Sequence, residues 1–384
     1  MKSETSAPGG QSATQDPPAF PGTEEGTGFW DHLGRTASLA LPVMLSRAGM
    51  VLMLTVDTAI VGHLAFAELQ LAAFGGALIP IAVLQTAAIG LLIGVIVRAA
   101  QFEGAGNPQA CGQVWRLGLI ISLILGGVYA AILTNGRAIL ELLGQPAEVA
   151  ASGGAVLRAM GWGMPGILVF IACAHFLEGI SRPVAPMVLM LVGNIANAIL
   201  AYALGAGAFG LTGSGVVGVA TATAMVRWGL GVGAVMLVFL TVDRRHYGIT
   251  LRSAKGWRDE LVALLRLGVP LAAAIGLESA CFAMITNMSG WLGPVSLATM
   301  HAAINYTSFV YMLTIGLATA AAVRVGNAVG RGDWHNAQRA GWIAVILAAG
   351  VMAVAGALTA VFPSQAAEIL TDDPDVLALS LIHI

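Results

Sequence analysis

The sequence predicts an all-α polytopic membrane protein with two six-helix lobes related by a parallel repeat, of which the second lobe is incomplete. Three observations support this fold class. Hydrophobic residues make up 57% of the 384 residues and charged residues only 10%, whereas a soluble domain has about 25% charged residues. Apolar runs recur along the whole chain, and its second half repeats its first. The net charge of −2 says nothing about nucleic acid, and we expect no nucleic-acid partner.

Crossing the hydrocarbon core of a bilayer takes about 20 apolar residues, and nine runs reach that length. They lie near 37–62, 70–97, 114–134, 153–177, 184–206, 214–241, 263–290, 296–323 and 337–362. The predicted organisation is a disordered cytosolic tail (1–35), an N-lobe of six helices (36–242), a cytosolic linker (243–262) and a partial C-lobe (263–384). The partial C-lobe contains three helices and the start of a fourth, which gives about nine helices plus the start of a tenth.

The tail is rich in Pro, Gly, Ser and Thr and has no apolar core segment, so it is not predicted to be a signal peptide. Lys and Arg collect after the second, fourth, sixth and eighth spans. Since basic residues favour the cytosolic side of a membrane, the N-terminus is predicted to be cytosolic.

An internal repeat relates the two halves. "LALPVML" from Leu39 aligns with "LGVPLAA" from Leu267, and "AAIGLLIGVIVRAAQFEGAG" aligns with "LTIGLATAAAVRVGNAVGRG". The aligned pairs are Pro42 with Pro270, Gly90 with Gly316, Arg98 with Arg324, Gly104 with Gly330 and Pro146 with Pro374, separated by 226 or 228 residues. Six spans lie between the copies, so both have the same orientation in the membrane. A complete second copy needs three more helices, and we therefore expect the chain to be truncated.

Two acids stand inside predicted spans, Asp57 and Glu278, and a charged side chain at mid-membrane costs about 2.5–3.5 kcal/mol. For Asp57 two interpretations remain open. Gly62 and His63 can mark the helix end, so that the carboxylate reaches interfacial water, or the carboxylate faces inward and binds and releases a cation. Glu278 lies near the middle of its span, as a hydrogen-bonded structural residue or as a cation site. Neither acid has an acidic counterpart in the other half.

The fifth span offers two amides, Asn194 and Asn197, which share a helix face because they are three residues apart. Their oxygens can bind a hard cation, or they can hydrogen-bond between helices. Arg47 shares a helix with Asp57 but is ten residues away and out of face, so it cannot neutralise that acid.

Three further ionisable residues are interpreted as structural. Glu178 is expected to lie with Arg182 at a cytosolic helix end. Arg227 and His301 are assigned no functional role.

Five motifs, in order and at the expected spacing, resemble the MATE (multidrug and toxic compound extrusion) family and its NorM-like branch. They are "VDTAIVGHL", "AQFEGAGN", "NAILAYALGAGAFG", "GVP…E" and "NYTSFVYMLTIGLATAAAVRVGNAVGRGD". The resemblance covers Leu39 to about Val376.

The resemblance implies a twelve-helix antiporter of the bacterial inner membrane. It would export small cationic amphipathic molecules in exchange for Na⁺ or H⁺, as a monomer in membrane lipid and without a cofactor. Asp57 resembles the cation-coupling acid of the first helix, and Glu278 resembles the acid of the C-lobe cation site, a possible Na⁺ site. Asn197 matches the first polar residue of the fifth-helix motif. Ala201 departs from the family's second Asn or Asp, which weakens a fifth-helix cation site.

Two other functions remain open. A lipid-linked glycan flippase shares the lobe design but needs a cavity rich in Arg and Lys. A non-transporting membrane scaffold, or a non-functional truncated chain, is the other alternative. An enzyme is not expected, because the sequence has no nucleophile–base pair and no metal-ligand spacing.

Overall fold

The computed structural model describes residues 29–208, 210, 212–250, 256–292 and 294–363, and every regular element among them is an α-helix. The eleven helices are α1 Phe29–Gly62, α2 Ala67–Gly104, α3 Pro108–Leu133, α4 Gly136–Leu142, α5 Ala147–Trp162, α6 Met164–Gly179, α7 Val184–Ala206, α8 Gly215–Thr241, α9 Trp257–Trp291, α10 Pro294–Gly330 and α11 Trp334–Val361. The predicted all-α fold class is confirmed.

Eight helices in the described part of the chain are individually long and apolar enough to cross a membrane, and α5 with α6 forms a ninth span bent by 42°. Pro165, in the first turn of α6, explains the break because proline has no backbone N–H to donate. The Trp228 Nε1–H donates to the carbonyl of Trp162 at the break, at 2.9 Å. These nine spans match the nine predicted from the sequence. The predicted start of a tenth helix lies outside the described residues.

Two predicted boundaries need correction. α1 begins at Phe29, inside the predicted tail 1–35, and α9 begins at Trp257, inside the predicted linker 243–262. The apolar runs mark only the lipid-buried length of a span, whereas the helical hydrogen bonds continue beyond it.

The first part of the predicted linker packs against the N-lobe. Tyr247 is buried, and its hydroxyl donates to Glu103 of α2 at 2.9 Å. Burial and the neighbouring Glu103 carboxylate raise the pKa of this hydroxyl above its ordinary value. Residues 243–250 are therefore a folded cap on the helix ends.

At the centre of the N-lobe lies α6, in which every residue except Pro165 is buried. A helix that is apolar all round belongs in the interior of a bundle. Helices α2, α3 and α8 surround it, and this bundle fixes the position of α8.

Helix α2 also packs against α9 and α10, which belong to the second half of the repeat. A Cβ atom added at Gly90 would lie 2.8 Å from the Cα of Ala272, and one added at Gly316 would overlap Met44. Met44 and Ala272 are separated by the same 228 residues as the aligned prolines. The two contacts are therefore equivalent under the repeat. In one, a glycine of the first half packs on the second half, and in the other, a glycine of the second half packs on the first half.

The second glycine pair repeats this arrangement. Gly104 lies against the carbonyl of Asn327, and Gly330 lies against the carbonyl of Gln101, each too close to accommodate a Cβ atom. Gln101 and Asn327 are again repeat counterparts. The repeat found in the sequence thus forms the interface between the two halves.

The aligned arginines cross the same interface. Arg98 of α2 forms a two-point ion pair with Glu260 of α9, at 2.8 and 2.6 Å. Arg324 of α10 donates to the Thr36 hydroxyl of α1 at 2.7 Å. Each arginine therefore ties its own half to the first helix of the other half.

We expect Gly104→Ala to destabilise the interface between the halves by about 1–3 kcal/mol, because the added methyl group must push α2 away from α10. Thermal unfolding of the purified protein in detergent measures the loss. Gly127→Ala is the matched control, since a Cβ atom there meets nothing within 4 Å and alanine favours a helix. Equal melting temperatures for the two variants would contradict the prediction.

Asp333 caps α11, accepting from the backbone N–H of Asn336 at 3.1 Å and from its side-chain amide at 2.6 Å. These bonds hold the pKa of the Asp333 carboxyl below its ordinary value. Its contribution to stability is therefore present at neutral pH and is lost as the pH falls through that lowered pKa.

We expect Asp333→Ala to cost about 1 kcal/mol at pH 7, and Asp333→Asn to cost less because the amide oxygen can still cap the helix. Urea unfolding in detergent at pH 7 and at acid pH measures both variants. A deficit of Asp333→Ala that persists unchanged at acid pH would show that the ionised carboxylate is not the stabilising form.

Candidate functional site

Asp57 lies near the end of α1 and is fully buried. Its Oδ1 accepts from the side-chain amide of Asn197 on α7 at 2.6 Å, and its Oδ2 accepts from the Thr223 hydroxyl on α8 at 2.7 Å. The carboxylate therefore faces the interior of the N-lobe, and the alternative that it reaches interfacial water is wrong.

The three helices meet because α7 and α8 approach closely at small residues. A Cβ atom at Gly205 would lie 2.6 Å from the side chain of Val219, and Gly218 lies against the carbonyl of Leu204. This brings Asn197 and Thr223 to the same side of α1. Ala201, one turn after Asn197, is also buried but supplies no polar group.

Arg227 lies one turn after Thr223 on α8 and is only 3% exposed. It interacts electrostatically with Asp57 but forms no ion pair with any carboxylate of the described residues. One guanidinium nitrogen donates to the Met164 sulfur at 3.7 Å. The break between α5 and α6 makes room for it, since a Cβ atom at Gly163 would lie 3.1 Å from the Arg227 side chain.

The predicted partner amide, Asn194, does not join this group. Its nitrogen donates to the carbonyl of Met190 in its own helix at 3.0 Å, and its buried oxygen has no partner. Helix α1 lies close to this amide at Gly49, where an added Cβ atom would lie 3.1 Å from the amide nitrogen. Only one of the two predicted amides therefore contacts the acid.

Glu278 lies on α9, away from Asp57, and is exposed. Gly276, two residues earlier, packs on Ala87 of α2, and residues two apart point to opposite sides of a helix. The carboxylate therefore faces away from α2, with Tyr311 of α10 as an electrostatic neighbour. Among the described residues, no three His, Cys, Asp or Glu side chains come together as a metal site.

A second buried polar group lies deeper in the N-lobe. Arg47 of α1 pairs with Glu178 of α6, with one guanidinium nitrogen 3.2 and 3.1 Å from the two carboxylate oxygens. The expectation that Glu178 lies with Arg182 is wrong, since Arg182 instead donates to the carbonyl of Thr241. His175, one turn before Glu178, lies 3.0 Å from the carbonyl of Leu92.

The sequence interpretation missed Thr223 as a site residue and gave Arg227 no part in the site. Thr223 and Arg227 are four residues apart, which places them on one face of a span rich in glycine and alanine. This spacing was the signal from which the sequence could have identified them. The side chain of His301 lies outside the part of the chain whose side chains the structure describes.

This arrangement can be compared with known proteins. The sequence profile of the MatE family matches residues 42–203 and 270–383. The chain belongs to the MatE family. The resemblance to MATE proteins stated from five motifs is thereby confirmed, and the chain is a multi-span membrane protein.

Curated relatives carry the NorM name. The chain is similar to "Multidrug resistance protein NorM" of Aliivibrio fischeri, with 28% identity over 264 residues, covering 66% of this chain and 57% of that protein. It is also similar to "Probable multidrug resistance protein NorM" of Rhodopseudomonas palustris, with 31% identity over 349 residues, covering 90% and 72%. The match to the Aliivibrio protein thus spans little more than half of that protein's length.

Solved structures share the fold. The crystal structure of the eukaryotic MATE transporter AtDTX14 superimposes with a TM-score of 0.82 at 20% identity, covering 93% of this chain and 78% of that chain. An outward-facing multidrug resistance MATE family transporter gives 0.76 at 22% identity, covering 91% and 76%. The two-lobe arrangement of the chain is therefore that of the family.

Breaking the Arg47–Glu178 pair is expected to be strongly destabilising. Arg47→Met or Glu178→Leu alone should cost about 3–5 kcal/mol, because the remaining partner stays buried without compensation. The double variant Arg47→Met/Glu178→Leu should cost less than either single change. Thermal unfolding in detergent provides the double-mutant cycle. A double variant that loses the sum of both single losses would contradict the pairing.

Proposed function

We propose that the protein is a secondary active antiporter of the bacterial inner membrane, with its N-terminus in the cytosol. In this proposal it works as a monomer and exports small cationic amphipathic molecules in exchange for Na⁺ or H⁺. Asp57 and its partners form the coupling site of the N-lobe, and Glu278 forms a second cation site in the C-lobe. The multidrug resistance names of the relatives support this substrate class.

One observation carries the proposal: Asp57 is fully buried in a membrane span and is held by two neutral donors, without an ion pair. Such a carboxylate is costly in an apolar interior, and an apolar residue would avoid the cost. Intramembrane carboxylates of this kind commonly mark an ion or substrate pathway. A carboxylate whose charge changes during the transport cycle accounts for an acid that is buried among neutral donors.

The mechanism follows from that charge. The ionised carboxylate attracts a cationic substrate from the cytosolic side, and entry of the coupling cation from outside neutralises it and weakens substrate binding. Coupling is then a difference in cation affinity between the inward-open and outward-open states. The glycine contacts exchanged between the halves, of α2 with α9 and α10 and of α10 with α1 and α2, support a rigid rocking of the two halves about their interface.

The flippase alternative has less support from the side chains. A lipid-linked pyrophosphate needs unpaired cations in the cavity. Arg47 is already paired with Glu178, and Arg227 interacts electrostatically with the Asp57 carboxylate. The scaffold alternative gives no reason to bury Asp57 at all.

The test is efflux of a cationic dye from lipid vesicles that contain the full-length gene product, driven separately by a Na⁺ gradient and by a pH gradient. We expect Asp57→Asn and Glu278→Gln each to reduce dye efflux to the rate of vesicles without protein, at unchanged expression and folding. Glu148→Gln is the control, since Glu148 is an exposed acid outside the site. If the folded parent moves no dye under either gradient, drug export is wrong and lipid-linked glycans become the substrate to test.

A further inference from the structure

We propose that the two halves of the protein share a binding site for the phosphate group of an anionic phospholipid, in a cavity whose wall carries Arg324 and Arg331. The proposal goes beyond the transport function. It depends neither on the exported substrate nor on the coupling ion.

The cavity lies where α1, the turn between α6 and α7, the end of α10 and the first turns of α11 come together. Its volume is about 240 Å³, and a water molecule in the liquid takes about 30 Å³, so the cavity can accommodate a polyatomic anion. No acid is among the wall residues in the described part of the chain. The polar wall residues are Ser38, Ser181, Arg324, Asn327, Arg331 and Asn336.

These residue types suit a phosphate. Guanidinium groups form charge-assisted hydrogen bonds to phosphate oxygens, and amide and hydroxyl groups can donate further ones. Arg324 is anchored to α1, since it donates to the Thr36 hydroxyl at 2.7 Å. Ser38 and Ser181 belong to the first half and both arginines to the second, so a bound phosphate would contact both halves and stabilise the arrangement in which they meet.

The acid closest to Arg331 in sequence is Asp333, which is not a wall residue. It interacts electrostatically with Arg331. Its two oxygens accept from the backbone N–H and the side-chain amide of Asn336 at the start of α11. The Asp333 carboxylate is thus engaged at the helix end, and the wall residues that face the cavity remain basic or neutral.

The internal repeat offers a comparison with the equivalent place in the first half. Ala328 aligns with Phe102, at a separation of 226 residues. Arg331 aligns with Ala105 at the same separation. In the first half the Phe102 ring lies 4.5 Å from the Arg98 guanidinium, whereas alanine leaves that space open in the second half. The second half thus has a ring less and a positive charge more, as an anion site requires.

Ser181 supports a role for the turn between α6 and α7. Its φ is 61°, in the left-handed region that is unfavourable for residues with a side chain and is usually occupied by glycine after a helix. A serine at this position costs stability that glycine would not cost. In return it places a hydroxyl group at the cavity wall.

The apolar part of the wall favours a lipid as the source of the phosphate. Leu39 and Ala340 lie in the wall, and Leu39 also belongs to an apolar cluster with Leu347 and Val351 of α11. The surface next to the arginines is therefore suited to an acyl chain, which a free phosphate lacks. Basic pockets between spans on the cytosolic side, where the positive residues of this chain are predicted to lie, bind anionic lipid headgroups.

The test is a lipid-binding measurement on the full-length gene product in detergent. Native mass spectrometry counts the phosphatidylglycerol bound per protein, and phosphatidylcholine with the same acyl chains is the reference because it has the phosphate but no net charge. We expect phosphatidylglycerol to bind roughly tenfold more tightly. Millimolar inorganic phosphate should not displace it, and displacement would overturn the lipid as the source of the phosphate.

Three variants locate the site. Arg331→Gln should weaken phosphatidylglycerol binding roughly tenfold. Arg339→Gln is the matched control, since Arg339 is an exposed arginine of α11 outside the cavity wall, and it should bind as the parent does. Ala328→Phe restores the ring of the first half and should abolish binding while keeping every charge.

Equal losses in Arg331→Gln and Arg339→Gln, or a parent that does not distinguish the two lipids, would overturn the proposal. So would a folded Ala328→Phe that binds phosphatidylglycerol as the parent does. Arg331 is exposed, so Arg331→Gln decides the question if Ala328→Phe does not fold. None of these measurements involves transport, and a failure of the dye assay would leave them unaffected.

Discussion

The close packing of glycines between the two halves, where α2 meets α9 and α10 and where α10 meets α1, is the interaction on which the rest of this structure depends. Inside a bilayer, apolar side chains gain nothing by leaving lipid, so helix association relies on close van der Waals contact and on hydrogen bonds between helices. Gly90, Gly104 and Gly330 allow backbones to touch, and Gly316 makes room for the Met44 side chain, at positions where an added Cβ atom would clash. Because each contact recurs with its partners exchanged, the two halves meet about a pseudo-two-fold axis. Rocking of the halves about such an axis would affect both copies of the glycine contacts equally.

The two buried polar groups of the N-lobe solve the problem of charge in lipid differently. Arg47 and Glu178 neutralise each other directly, at 3.1 Å, and have no apparent need to change state. Asp57 and Arg227 interact electrostatically without forming an ion pair, and the side-chain hydrogen bonds to the Asp57 carboxylate come from the neutral donors Asn197 and Thr223. Removing either partner of a buried ion pair is strongly destabilising, whereas the Asp57 carboxylate is hydrogen-bonded by neutral donors alone.

The sequence predicted the scaffold well because its signals are local or periodic. Nine apolar runs gave the nine spans, and the register of the repeat identified Gly90, Gly316, Gly104 and Gly330 before their contacts were known. The partners of Asp57 were harder to predict, since periodicity gives the face of a helix but not its depth against a neighbour. Asn197 was selected through its motif, while Thr223 is an ordinary residue of an apolar span. Glu178 was assigned to Arg182 because the two are close in sequence, and its true partner is 131 residues away.

Arg227 shows why the missing part of the prediction is the functional part. An arginine in a membrane span has to be accommodated by its surroundings, and here the surroundings are a break between α5 and α6, the small Gly163 and a methionine sulfur. None of these features is an acid, so a search of the sequence for residues of opposite charge does not identify them. The guanidinium reaches this place because α8, which carries it, packs against α6 at the centre of the lobe. The surroundings of this buried arginine thus depend on a helix break and on a glycine that packs directly on its side chain, and neither feature is marked by charge in the sequence.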